Sequence, residues 1–165
     1  MWLKNVVHDG MKLREAPDEL RRDREVVLAA ISNNARALKF AADELWSDCT
    51  FVLAAVSQEG YFALQFAADE LWSNRKFVLA IVPRYGFALQ AVSDDLRSDK
   101  EVVFAAVEHH DGAFQFAAKQ LWSDRDFVLQ AIDVNWFTAL TLTSDALKAD
   151  RNVIVSALKH QYDLA

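Results

Sequence analysis

Apolar positions along the chain recur every 25 or 26 residues. One leucine marks the period: Leu20, Leu45, Leu71, Leu96, Leu121 and Leu147. Three residues after each stands an acid or amide: Asp23, Asp48, Asn74, Asp99, Asp124 or Asp150. Three further on, an apolar block begins, over 26–31, 51–56, 77–82, 102–107, 127–132 and 153–158. A polar or glycine-containing stretch follows. A second apolar stretch closes the cycle, over 37–45, 63–71, 88–96, 113–121 and 139–147. Self-similarity at a fixed period of this length is the signature of a solenoid.

The second block has a helical stripe. Leu38, Ala41, Ala42 and Leu45 stand at i, i+3, i+4 and i+7, and Leu64, Ala67, Ala68 and Leu71 repeat the spacing. Alanine is the best helix former. The first block is contiguous and apolar, so a buried strand competes with a helix there. Its paired alanines and the absence of alternation favour the helix. The preceding Asp fits an N-cap, and Glu25 and Glu101 then lie where the helix dipole favours an acid. The expectation is an all-α solenoid of short antiparallel helix pairs, each helix about 9 to 12 residues long. Gly10, Asn34, Gly60, Gly86 and Gly112 fall in the turns inside units, where Gly or Asn can end a helix with positive φ. Leu53 to Leu64 and Leu129 to Leu140 are one residue longer than the other copies, which places the extra residue in that turn.

The predicted units within a single array over 1–165 are 1–22 (degenerate), 23–47, 48–73, 74–98, 99–123, 124–149 and 150–165 (incomplete). A second helix is expected to begin at Tyr162, Asp163, Leu164 and Ala165. Two explanations stay open: a segment of a longer protein, or a partner covering the last edge and allowing self-association through terminal units.

Two positions are coupled across the copies. The residue after the marker leucine reads Arg21, Trp46, Trp72, Arg97, Trp122, Lys148. The first residue of the next apolar block reads Val26, Phe51, Phe77, Val102, Phe127, Val153. Trp occurs only with Phe, and Arg or Lys only with Val. Packing of an indole on a phenyl ring explains this, and so does an apolar stem over a smaller side chain. Trp46, Trp72 and Trp122 are therefore either packing residues or an aromatic ridge open to a protein or peptide partner. Trp136 and Phe137, an aromatic pair at a turn, are further candidate contacts.

Composition narrows the chemistry. A net charge of -6, from 24 acidic and 18 basic residues, argues against a nucleic-acid backbone as partner. Basic residues do recur after the cap, as Arg24, Arg75, Lys100, Arg125 and Arg151, but the cap acids flank them. The acidic pairs Asp43-Glu44, Asp69-Glu70 and Asp94-Asp95 recur with the period, so they belong to the repeat template and favour basic surfaces. Lys119-Gln120 breaks that stripe. The lone Cys49 forms no disulfide framework, and the adjacent His109 and His110 lack the i, i+4 spacing of helical metal ligands. No phosphate-loop, dinucleotide, nucleophile-elbow or zinc-protease motif is present, so no enzyme, cofactor or metal site is expected. The N-terminus lacks a signal-peptide core, and no apolar run approaches the roughly 20 residues of a spanning helix. A reducing compartment fits best, with translocation that needs no cleaved signal left open.

The phrases 96–107, LRSDKEVVFAAV, and 63–71, ALQFAADEL, resemble the repeat family named domain of unknown function 4116. The resemblance covers nearly the whole chain. It implies a helical array and, because the family occurs in intracellular bacteria, protists and large viruses, a host-facing or effector role. It carries no catalytic residue. The chain departs from the family pattern at Trp46, Trp72 and Trp122, at the missing glycines of Asn34 and Trp136, and at Lys119-Gln120. The function expected is a non-enzymatic binding scaffold, with a structural spacer or self-association module as the alternative.

Overall fold

A computed structural model describes residues 2–162, which form short helices joined by turns and brief extended breaks, with no strand among them. The first blocks form seven helices: α1 (Trp2–His8), α2 (Arg24–Asn33), α3 (Cys49–Glu59), α4 (Arg75–Ile81), α5 (Lys100–Val107), α6 (Arg125–Leu142, broken at Asn135) and α7 (Arg151–Tyr162). The predicted caps hold them. Asp99 Oδ1 accepts the amides of Glu101 (2.9 Å) and Val102 (3.2 Å), and Asn74 Oδ1 accepts those of Lys76 (3.1 Å) and Phe77 (3.2 Å). Each such acceptor satisfies helix amides that have no intrahelical partner. The fold is a helical repeat solenoid. It divides between Leu71 and Trp72 into two compact units.

The second blocks differ from expectation. Each is two short pieces, not one helix. A 3₁₀ turn (Ala35–Phe40, for example) is followed by an extended pair, Ala41 and Ala42, and then a one-turn helix (Asp43–Trp46). The cause is a backbone bond between neighbouring repeats. The amide at the break reaches back to the carbonyl of the residue after the preceding marker leucine. In the first compact unit these bonds are Ala42 N to Arg21 O (2.9 Å) and Ala68 N to Trp46 O (3.0 Å). In the second they are Ser93 N to Trp72 O (3.0 Å), Ala118 N to Arg97 O (2.9 Å) and Ser144 N to Trp122 O (2.9 Å). A donor committed to a neighbour cannot serve its own helix, so tertiary pairing overrides alanine's helix preference. At the equivalent position of the degenerate copy stands Pro17, which has no N–H to donate.

The turns also depart from the reading above. Among the described residues only Gly60 has positive φ (63°). Asn34 sits at φ -152° and caps the following 3₁₀ turn by accepting the Arg36 amide at 3.0 Å, and Asn135 caps Thr138 at 2.9 Å. Gly60 thus ends α3 with positive φ, as expected, whereas Asn34 ends α2 with extended backbone and also starts the second segment. The predicted start of a further second segment at 162–165 lies outside the described residues, apart from Tyr162 at the end of α7.

Candidate protein-binding surface

The core uses the same places in every copy. Val26, Phe51, Phe77, Val102, Phe127 and Val153 are all buried, and so are Ala37-Leu38, Ala63-Leu64, Ala88-Leu89 and Ala113-Phe114 of the second segments. This settles where the tryptophans go. Each Trp packs edge-on against its Phe, with centroids at 5.2 Å for Trp46–Phe51, 5.5 Å for Trp72–Phe77 and 5.1 Å for Trp122–Phe127. Trp46 also stacks on Phe66, and Trp122 meets Phe114 edge-on. Trp46 and Trp122 are each only 5% exposed, so these two indoles offer no surface to a partner. Trp72 is half-buried. Where Trp stands, the marker leucine beneath is closed off: Leu45, Leu71 and Leu121 are buried. Where Arg or Lys stands, Leu20, Leu96 and Leu147 are half-exposed. There the charged head turns to the acid three residues earlier, in the pairs Arg21–Asp18, Arg97–Asp94 and Lys148–Asp145.

The basic residues after the caps are equally committed. Arg24 pairs with Asp48, Arg75 with Asp99 (2.8 Å), Lys100 with Asp124 (2.6 Å) and Arg125 with Asp150 (3.2 Å). A cap carboxylate thus takes helix amides on one oxygen and the preceding repeat's cation on the other. The hydrogen bond from Arg75 holds the Asp99 carboxyl below its ordinary value, and that from Lys100 does the same for Asp124. For Asp150 the leading cause is the amide of Val153. In the sequence, the one copy without a base, Cys49, precedes the one neutral cap, Asn74. Cys49 is half-buried and carries a free thiol.

The exposed apolar surface lies elsewhere, on the second segments. Phe137 is 66% exposed, Tyr61 and Phe87 are 50%, and Phe62 is 45%. Tyr61, Phe62 and Phe87 stand two or three places before the buried Leu64 or Leu89, and Phe137 three places before the half-buried Leu140. In the first compact unit Phe62 meets Phe66 edge-on at 5.9 Å. In the second, Phe87 meets Phe116 at 6.2 Å across neighbouring repeats and lies over Gly112. Trp136 is half-buried and packs edge-on with Phe137 at 5.8 Å, just after the break at Asn135. Of the predicted contacts, then, Phe137 is well exposed and Trp136 partly so. Sequence reasoning passed over Tyr61, Phe62 and Phe87. Their signal was present, because Phe62 and Phe66 flank the Ala-Leu pair off the stripe of Leu64, Ala67, Ala68 and Leu71.

The histidines act locally. His110 Nε2 lies 3.0 Å from the Arg84 carbonyl, and His160 Nε2 lies 2.9 Å from Asp133. Among the described residues no group of three or more His, Cys, Asp or Glu is arranged around a metal position, and no helix is long and apolar enough to cross a membrane.

The family described as domain of unknown function (DUF4116) matches residues 2–46, 23–72, 48–97, 74–122 and 99–148. The chain belongs to the DUF4116 family. Each DUF4116 match spans two successive copies of the cycle. Four of them begin on a cap residue, Asp23, Asp48, Asn74 or Asp99, and each ends on the residue that supplies a carbonyl to the inter-repeat ladder or its equivalent. No curated protein and no solved structure matches the chain.

Proposed function

We propose that this DUF4116 array is a non-enzymatic scaffold that binds a protein or peptide partner through the aromatic side chains of its second segments. One observation carries the reading. The aromatic residues of the repeat are sorted: Trp46 and Trp122 are buried, while exposed aromatics stand at the start of second segments, Tyr61 and Phe62 in the first compact unit and Phe87 and Phe137 in the second. Exposed aromatic anchors are the side chains that dominate binding energy at protein interfaces. The exposed acidic pairs Asp43-Glu44, Asp69-Glu70 and Asp94-Asp95 favour a partner with basic residues around its apolar contacts. A host protein is the partner class the family resemblance suggests.

The test is a chain carrying Phe62→Ser, Phe87→Ser and Phe137→Ser beside the unaltered chain. Each substitution removes an aromatic contact, with Phe66, Phe116 or Trp136, that contributes about 0.5–1.5 kcal/mol, so the variant's helical signal and melting curve are measured first to show that it stays folded. The scaffold reading expects proteins captured by the unaltered chain, and then bound by it when purified, to be lost by the variant. Retention of every partner by a folded variant refutes it. The spacer or self-association reading draws on a different observation, the exposed Leu3 and Val7 on α1 and Val155 on α7. It expects the sedimentation mass to rise with concentration and to be indifferent to the aromatic variant.

A further inference from the structure

The second segments of the first compact unit form two equivalent grooves, and the chain fills one of them with its own charges. That groove is lined by Asp18, Arg21, Arg22, Phe40 and Ala42. There Arg21 pairs with Asp18, Arg22 donates to Glu44 at 3.2 Å, and the Lys39 ammonium stands 5.0 Å from the centre of the Phe40 ring. The groove one repeat further on is lined by Asp43, Trp46, Ser47, Phe66, Ala68 and Glu70, and its volume is about 520 Å³. Ordinary ligand clefts hold roughly 300–1,000 Å³, so this one has room for a side chain.

Laid over one another, the two grooves keep their acids and differ in their cations. Asp43 and Glu70 stand where Asp18 and Glu44 do, but Trp46, Ser47 and Gln65 stand in place of Arg21, Arg22 and Lys39. Asp43 and Glu70 are exposed, and among the described residues neither makes an ion pair. Lys39 also lines this groove, so one cation, already over the Phe40 ring, stands beside two carboxylates. Trp46 stacks on Phe66 at 5.1 Å and gives the groove an aromatic wall. In the second compact unit the matching place is closed from within, because Gln120 Nε2 donates to Ser98 Oγ. Ser47 and Glu70 hold those two positions in the open groove, and no hydrogen bond joins them.

We propose that the groove between Asp43 and Glu70 is a docking site for two arginine side chains of a basic peptide segment. One guanidinium pairs with Asp43, as Arg21 does with Asp18, and the other with Glu70, as Arg22 does with Glu44. Their stems and planar heads cover Phe66, as Lys39 covers Phe40. Arginine suits the site better than lysine, because its planar fork takes a carboxylate with two parallel bonds and stacks on an aromatic face. The proposal rests on the scaffold reading for its class of ligand, a peptide, and adds the place where the partner's basic residues enter.

The probe is the capped peptide GLRRG, which carries the charged pair of 20–22, titrated into the full chain and followed by amide NMR. Saturable shifts are expected at Ala41, Ser47 and Ala68. Binding weakens at least fivefold in the chain with Asp43→Asn and Glu70→Gln. It weakens as much with Ser47→Arg, which brings the chain's own cation to Glu70 as Arg22 reaches Glu44. All these positions are exposed or half-buried, and an unchanged melting curve checks each variant's fold. Asp95→Asn with Glu108→Gln, the same change of net charge outside the groove, leaves the affinity within twofold. No saturable shift overturns the proposal, and so does binding that ignores both groove variants or responds equally to the control pair. Equal affinity for the peptide GLQQG overturns it, and equal affinity for spermidine assigns the groove to a free polyamine and overturns it too. A captured partner lost with Phe62→Ser, Phe87→Ser and Phe137→Ser but kept with Asp43→Asn and Glu70→Gln overturns this site alone. Groove binding of the peptide, with every partner kept by the aromatic variant, refutes the aromatic surface alone.

Discussion

Adding one methyl group to Gly86 tests how closely neighbouring repeats are packed. A Cβ there would lie 2.2 Å from the carbonyl oxygen of Ala106 and 2.7 Å from the Cβ of His110, and contacts under 3.0 Å are essentially never met. The obstacle is backbone of α5, so relief needs a shift of about 1 Å between packed elements, a strain that costs about 1–3 kcal/mol. At roughly 2–4 °C per kcal/mol for a chain of this size, Gly86→Ala lowers Tm by about 2–12 °C. Gly112→Ala is the matched control. Its Cβ meets only the Phe87 ring at 3.5 Å, an ordinary contact, and its backbone lies outside the left-handed region. Losing glycine's freedom in the unfolded chain then stabilises by about 0.4–1 kcal/mol. The two substitutions are the same chemical change with opposite signs, read by thermal and urea denaturation under circular dichroism. Equal melting points for the two variants would refute the close approach of the Gly86 turn to α5, and with it the register of these repeats.

Three further outcomes follow from the same geometry. Trp46→Arg should destabilise strongly, because it removes a buried indole. Adding Phe51→Val should recover part of the loss, since Asp43 already stands where Asp18 and Asp94 pair with Arg21 and Arg97; a coupling below about 0.5 kcal/mol in the double-mutant cycle argues against the pairing rule. Asp124→Ala, which loses the cap to Phe127 and the partner of Lys100, should cost about 0.5–2 kcal/mol, while Asp124→Asn keeps the cap, as Asn74 does, and costs less than about 1 kcal/mol. The lowered carboxyls of Asp99, Asp124 and Asp150 contribute stability that is present above their unfolded values near 3.8 and lost as pH falls through the folded values. Denaturation midpoints measured in titrated buffers should therefore decline below about pH 5, and a flat profile down to pH 2 would contradict these bonds.

How far the sequence could be read depended on which interactions write themselves into local pattern. The period, the caps and α2 to α7 were legible because an N-cap and a helical face are short-range requirements, satisfied within one copy. The broken second block was not. Leu38, Ala41, Ala42 and Leu45 fit one helical stripe as well as they fit two short turns, and the bond that breaks the stripe, Ala42 N to Arg21 O, joins residues from different copies. Its trace is visible only when copies are laid over one another. Pro17 stands at the break in the degenerate copy, Ser93 and Ser144 stand there in two others, and an acidic residue follows in five copies, as Asp18, Asp43, Asp69, Asp94 and Asp145. Proline and serine followed by acids mark a helix start, not a helix interior.

The same comparison corrects the site. Pairing Trp with Phe across copies was sound evidence for contact, and contact is what buries Trp46 and Trp122. A residue whose identity follows that of an internal neighbour is answering to packing. A binding surface is better sought where copies vary without a compensating change inside the array. Positions two and three before the Leu or Phe of the second-segment pair meet that description. They read Gly10-Met11, Ala35-Arg36, Tyr61-Phe62, Gly86-Phe87, Asp111-Gly112 and Phe137-Thr138. The backbone constrains some of them, as the approach of Gly86 to Ala106 shows, but the aromatics among them are exposed. A repeat array can gain a distinct surface by keeping its ladder, caps and core fixed while these outward places change, and Tyr61, Phe62, Phe87 and Phe137 are the exposed aromatics at those places.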